Sequence, residues 1–382
     1  MSKDEEIKQR QRLSSYGSYR PEKCMICGTT FQDQRPCNSH SIPQFVLKSL
    51  NNGASGNDKS GQFYPLNSFL QIPWVNKVNG RNNTGTFSLL CKKCDGSCFQ
   101  NYERADIYTK SLLGNANLQT ILNEIAMKNY LYSYYDAKKT IARIEKELRQ
   151  EETSSFTSRK ELNRRIQILN QQLDAETANA KDSFQGFKNT CSIRAKLQSK
   201  PSTILYTVDF YHQYNRLFPL AFQGKITIEY DCWGNHINNL FAFDQATQDM
   251  HLCIFPIRGT TMVLSFSRRK DKKIQLIRKN LNKKKVDETA KALTAMAMTA
   301  SGNFAVYINT PESIFNNQYL RSLAGETGTI LTHTYTQNNN VSPSQAQKLA
   351  HQSVRENHIT GARKHLADYL KIPNKLIGLN NV

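Results

Sequence analysis

No stretch of the 382-residue chain approaches the roughly 18 to 20 consecutive apolar residues that a membrane span needs, so an integral membrane protein is not expected. Met1-Ser2-Lys3-Asp4-Glu5-Glu6 lacks the apolar core of a secretion signal, which argues against an exported precursor and for a cytoplasmic setting. No internal repeat is visible. Acidic residues are scarce beside basic ones, 31 against 51, giving a net charge of +20 and a pI near 9.5. Hydrophobic residues make up 38% and mean hydropathy is −0.60, polar for a globular protein but not disordered throughout. The length suggests two or three domains.

The excess of positive charge is spread out. Lys and Arg outnumber Asp and Glu by 15 to 9 over residues 1–115, by 15 to 10 over 116–200 and by 21 to 12 over 201–382. A surface of this sign attracts polyanions, of which nucleic acid is the commonest in a cell. DNA is the expected partner, and the charge alone does not exclude RNA. The bland alternative is a merely soluble cationic surface.

The fold class expected is α+β, in four regions. Residues 1–20 read as a mobile arm. Residues 21–115 hold six of the nine cysteines, with loop compositions at Asn51–Gly61 and Asn79–Gly85. Residues 116–200 read as a long helical hairpin. Ile141, Ile144 and Leu148 recur at helical spacing, Leu162, Ile166, Leu169 and Leu173 follow a 4-3-4 rhythm, and Ser158 with Glu161 forms a capping box at a helix start. The stripes are short for a coiled coil, so the simplest use is that the two helices pack on each other; a homodimer or protein partner held through the hairpin is the other. Residues 201–382 read as an α+β domain with a mostly antiparallel sheet. Strands are expected at Ile204–Val208, Lys225–Tyr230, Leu240–Phe243, His251–Ile257 and Thr261–Phe266, and helices at Val286–Ala300 and after Thr310-Pro311 and Ser342-Pro343.

Cys24-Met25-Ile26-Cys27 and Cys91-Lys92-Lys93-Cys94 are the most informative motifs. Each C-x2-C puts two thiolates on one tight turn, and two such knuckles make the tetrahedral four-sulfur set that structural Zn2+ prefers. Disulfides are the competing use, disfavoured where thiols stay reduced. The 63 residues between the knuckles exceed a simple zinc ribbon, so that loop is expected to carry structure of its own.

Inside the loop stands Ser39-His40-Ser41-Ile42-Pro43. The order C-x2-C, His-x-Ile-Pro, then Leu-Leu-Cys-x2-Cys followed by Asp95 resembles the zinc-stapled HNH endonucleases, over about residues 21–105. The resemblance implies a ββα-metal module, with His40 as the general base activating water against a phosphodiester. It also implies Asp95 as a ligand of a catalytic Mg2+ or Mn2+, with His40 at the same centre, and zinc kept as a separate structural site. Tyr102-Glu103 looks like a further feature of some HNH-like proteins and makes Glu103 a third candidate. The chain departs from the family where Ser39 stands in place of an Asp, and where Thr86 lies closest to the place of the middle Asn. Such modules serve restriction, mobile elements and antiphage defence in bacteria and phages.

Plainer roles stand beside these. Asp95 can cap a helix, Glu103 can pair with a neighbouring arginine, and His40 can be a zinc ligand or a buried hydrogen-bonded histidine. Eight residues of continuous helix rise about 12 Å, so Asp95 and Glu103 reach one ion only if the helix starts late. Cys37 and Cys98 are near enough to substitute as zinc ligands, and otherwise read as buried thiols. Arg268, Arg269, Lys270, Lys272 and Lys273 form one basic cluster and Lys283, Lys284 and Lys285 another; both suit phosphate contacts, and either can be a solvated loop. Three roles remain open: a metal-dependent HNH-type DNA endonuclease, a non-catalytic zinc-stapled protein that binds nucleic acid or a partner, and a structural subunit assembled through the hairpin.

Overall fold

The computed structural model describes residues 19–32, 35–51, 61–65, 79–108, 111–152, 159–229, 231, 235–239, 246–300, 303–311 and 313. The expectations for most of the 1–20 arm, the interior of the Asn51–Gly61 loop, the Ser158–Glu161 capping box, the Leu240–Phe243 strand and the helices after Thr310-Pro311 and Ser342-Pro343 fall outside these residues.

The cysteine-rich region supplies β1 (Cys37–His40), α1 (Gln44–Asn51), β2 (Gln62–Pro65), β3 (Asn79–Gly80), β4 (Thr86–Leu90) and α2 (Lys92–Cys98). Two long helices follow, α3 (Leu118–Glu152) and α4 (Arg159–Ser199). The remainder comprises β5 (Tyr206–Tyr214), β6 (Leu220–Ile226), β7 (Met250–Ile257), β8 (Thr260–Arg268), α5 (Ile274–Leu281), α6 (Val286–Ala300) and β9 (Phe304–Tyr307). The α+β class and the helical hairpin are as the sequence suggests. No helix among the described residues is long and apolar enough to cross a membrane.

The strands form two antiparallel sheets. β1 and β4 make a two-stranded ribbon with His40 opposite Thr86, and a bulge between Cys37 and Ser39 re-aims the strand. The other seven run in the order β3-β2-β9-β6-β7-β8-β5. β2 and β3, from the loop between the cysteine knuckles, therefore extend the same sheet as the C-terminal strands, through β2 against β9. Part of the loop is thus an edge of the main sheet.

That sheet is covered on both faces, which is why every residue of β7 is buried. Alternate residues serve different cores. Leu252 and Ile254 pack with α5 and α6 residues such as Ile277, Leu293 and Met296, whereas Cys253 and Phe255 pack with α3 and the cysteine-rich region. The expected strands at 251–257 and 261–266 lie within β7 and β8. β5 starts two residues later than expected and runs on to Tyr214. The expected Lys225–Tyr230 strand shares only its first two residues with β6, because the apolar run Leu220–Phe222 is what enters the core.

α3 and α4 run antiparallel: Asn123 donates to the Thr190 carbonyl, Ala137 and Ile141 pack with Ala180, and Arg165 bridges Glu151 at 2.7 Å. At 1.5 Å per residue the helices are about 50 and 60 Å long. They touch closely at Gly186, where any Cβ would lie within 2.2 Å of the Tyr130 ring. The N-terminal part of α3 (Ile121, Leu122, Ile125, Ala126, Leu131) belongs to the main core, so the hairpin is rooted between the cysteine-rich region and the sheet.

Candidate functional site

The first knuckle is a tight turn. Cys24 N–H bonds the Thr29 carbonyl, Gly28 takes the left-handed conformation (φ +73°), and Met25 N–H donates to the Leu89 carbonyl, tying the turn to the end of β4. The second knuckle starts where β4 ends: Cys91 caps α2, its sulfur accepting from Cys94 N–H. Together they bring the sulfurs of Cys24, Cys27, Cys91 and Cys94 within 4.8 Å of one another.

All four cysteines are free thiols. The Cys27–Cys91 sulfur separation of 3.8 Å is the edge of a tetrahedron with Zn–S bonds of about 2.3 Å, which is about 3.8 Å, and is far beyond the ~2 Å of a disulfide. Thr29, through its hydroxyl and its amide, holds the Cys27 thiol down to about 6, so it ionises readily; burial pushes Cys24 the other way. The four cysteines can therefore hold a metal ion such as zinc. His40, Cys37 and Cys98 are not part of the group, and among the described residues no second group of three or more His, Cys, Asp or Glu gathers as a metal site.

A different centre lies one residue beyond the second knuckle. Asp95 is not the cap of α2; Cys91 is. α2 ends at Cys98, and the chain turns back before Glu103. The continuous helix that would have kept Asp95 and Glu103 about 12 Å apart does not exist. Both carboxylates converge on the ammonium of Lys128 from α3, Asp95 Oδ1 at 3.0 Å and Glu103 Oε1 at 2.6 Å. The third contact of the ammonium is the His40 carbonyl oxygen, at 3.0 Å. The Phe99 ring lies 4.4 Å from the same nitrogen. The Lys128 side chain is 1% exposed, against 26% for Asp95 and 33% for Glu103. Glu103 thus pairs with a lysine from another element; the neighbouring Arg104 pairs with Asp106.

α3 also shapes the loop that carries Glu103. Glu124 accepts from the backbone N–H groups of Asn101 and Tyr102 and from the Asn101 amide. The buried Tyr102 hydroxyl donates to the Ser41 carbonyl, beside His40. On the other side of His40, Ser41 is held to Gly85 by N–H and hydroxyl bonds of 2.8 Å, and the Asn303 amide donates to Ser41 Oγ and to the Gln223 carbonyl. Gly85 is left-handed (φ +63°), and a Cβ there would lie 2.7 Å from Asn303 Oδ1, so this crossing of ribbon and sheet needs glycine.

The His40 imidazole is half-buried, with Nε2 3.2 Å from the Arg81 carbonyl and Nδ1 3.5 Å from the Gln44 amide. A carbonyl only accepts, so Nε2 carries the proton and the Nδ1 lone pair accepts from the Gln44 amide. Burial holds the His40 pKa below the ordinary histidine value. The Lys128 ammonium pushes the same way, while the Arg81 carbonyl and Asp95 oppose it. The ring is therefore neutral at pH 7. Burial raises the Glu103 pKa, opposed by Lys128.

One carbonyl and two carboxylates form the hard oxygen set that Mg2+ or Mn2+ prefers. As arranged, however, these oxygens enclose an ammonium and leave no room for a divalent ion. Lys128 is the residue the motifs missed. Its signal is that it stands in line with Ile121 and Ile125 at 4-3 spacing, a charge at a position where the periodicity demands a core residue.

Arg268, Arg269, Lys270, Lys272 and Lys273 lie at the end of β8 and in the turn after it, and Lys283, Lys284 and Lys285 follow α5. All but the half-exposed Arg268 are exposed. α5 has eight residues, about 12 Å, so the two clusters flank one short helix that adds Arg278 and Lys279.

No protein-family model, no curated protein and no solved structure matches the chain.

Proposed function

We propose that the protein is an endonuclease of the HNH type that hydrolyses phosphodiester bonds of DNA. The observation that supports this reading best is the convergence at His40. The strand–strand–helix order of β1, β4 and α2, with the loop beyond it, brings the His40 backbone carbonyl, Asp95 and Glu103 onto one ammonium, that of Lys128. His40 presents an accepting Nδ1 on a neutral ring, as a general base requires. In the proposed reaction Nδ1 takes a proton from water as the water attacks phosphorus. The P–O bond to the leaving oxygen breaks and that oxygen is protonated from solvent, while the Arg81 carbonyl steadies the imidazolium that forms. The basic segments flanking α5 supply a surface for the phosphate backbone, with RNA as the other polyanion they would accept. Antiphage or mobile-element biology is the setting the resemblance suggests.

A second reading, a zinc-stapled protein that binds nucleic acid or a partner without cleaving, is favoured by one observation: the cation at the carboxylates is a lysine.

A plasmid-nicking assay with Mg2+ or Mn2+, with EDTA, and with the His40→Ala variant separates the two. The nuclease reading expects metal-dependent nicking that falls at least a hundredfold in His40→Ala while DNA binding and zinc content are kept. Cleavage undiminished in His40→Ala would overturn the role of His40. No cleavage by zinc-loaded, folded protein would favour the binding reading.

A further inference from the structure

Two carboxylates and a carbonyl within 3.0 Å of a common point make a cation site, and the cation in it is tethered to another part of the molecule. His40 O comes from the end of β1, Asp95 from α2, Glu103 from the loop beyond, and the ammonium from α3. Without the ammonium, which lies beside Phe87 and Phe99, the oxygens would face one another with two negative charges on half-buried carboxylates. The same set would then attract a small divalent ion, since hard oxygens and two formal charges are what such ions select.

We infer that the Lys128 ammonium and a divalent cation of the Mg2+ or Mn2+ class compete for the same three oxygens, so that seating of α3 against the cysteine-rich module excludes the metal. The inference deepens the nuclease reading and rests on it for the kind of ion. Its physical content is a linkage. Whatever draws Lys128 out raises metal affinity, and metal at the oxygens weakens the seating of α3 by the same factor. Lys128 sits in the third turn of a helix of about 50 Å, whose partner α4 packs along it. Glu124, on the same face one turn earlier, holds the backbone of the Glu103 loop, so withdrawal of α3 also frees a ligand arm to adjust.

The test is Mn2+ binding to the full, zinc-loaded chain, followed by the paramagnetic signal of free Mn2+, for the wild type, Lys128→Met, and Lys128→Met combined with Asp95→Asn. Competition predicts weak binding by the wild type, at least tenfold tighter binding by Lys128→Met, and loss of that gain in the double variant. Equal binding by the wild type and Lys128→Met overturns it, and so does a gain that survives Asp95→Asn. Should Lys128→Met fail to fold alone, Mn2+ added during refolding should restore its helical circular dichroism; absence of rescue overturns the inference. The readout does not depend on cleavage. A variant that gains Mn2+ but nicks no DNA leaves the competition standing and removes the nuclease reading, whereas nicking without a gain in Mn2+ does the reverse.

Discussion

Two centres lie side by side, since Cys94 and Asp95 are consecutive residues, yet they are built on opposite principles. The sulfur centre takes its ligands in pairs from two tight turns, so each pair is fixed by local backbone geometry and closure needs only β4 to bring the turns together. The oxygen centre takes one group each from a strand end, a helix, a loop and a second helix, and no two of them are locally constrained. A soft, local site tolerates variation elsewhere in the fold. A hard, assembled site is only as well made as the packing of everything around it, which suits it to respond to that packing.

Removing the metal from the sulfur centre should give the largest effect. Structural Zn2+ contributes about 10 kcal/mol or more of folding free energy in small modules. Chelation, or Cys94→Ser, should therefore unfold the cysteine-rich region, seen as a fall in melting temperature of more than about 15 °C with loss of bound zinc by elemental analysis. A melting curve indifferent to chelator would mean the four thiols are a packing feature. At the oxygen centre, Lys128→Met in metal-free buffer should cost about 3 to 5 kcal/mol in denaturant unfolding, because two carboxylates are left facing each other. Adding Glu103→Gln should recover part of that loss, since one stranded charge is removed. A double variant no better than the single one would break the assignment of the triad as an ionic unit.

A buried charge outside both centres sharpens the contrast by acting with the opposite sign. Asp209, in β5, is buried, and burial raises its carboxyl to about 7, with Ser267 and Arg278 opposing in part. A raised carboxyl binds its proton more tightly in the folded state. Stability contributed by the protonated form is therefore present below about pH 4 and is lost as pH rises towards 7. The full shift corresponds to at most about 4 kcal/mol. After local relaxation, Asp209→Asn should stabilise the protein by about 2 kcal/mol at pH 8 and by nothing at pH 4. Equal effects at both pH values would show that Asp209 is ionised in the fold.

These differences also explain what was legible in the sequence. The knuckles could be read because two residues of spacing dictate their geometry, and the long helices and the Val286–Ala300 helix because 3.6-residue periodicity is local. His40 was found from its motif, but its proton-accepting nitrogen is set by the carbonyl of Arg81, far along the chain. Glu103, a catalytic candidate whose plainer role is a pair with a neighbouring arginine, pairs with Lys128 instead, because a break in α2 after Cys98 is not written in its composition. Lys128 is not legible as a site residue because nothing near it in sequence marks a charge whose partners come from 25 to 88 residues away. β2, β3 and β9 are illegible for a related reason: each is four residues or fewer and is a strand only because the others are there.

The pairing of β2 with β9 fixes an order of events during synthesis. Both cysteine knuckles are complete once residue 94 has left the ribosome, and a metal bound by the four thiols would close the module at once. β2 must then wait for residues 304–307, which at 5 to 20 residues per second takes roughly 10 to 40 seconds. Through that interval the module carries an open strand edge, the kind of surface that recruits other chains. A metal held by the four thiols would close the nascent module long before the sheet can close.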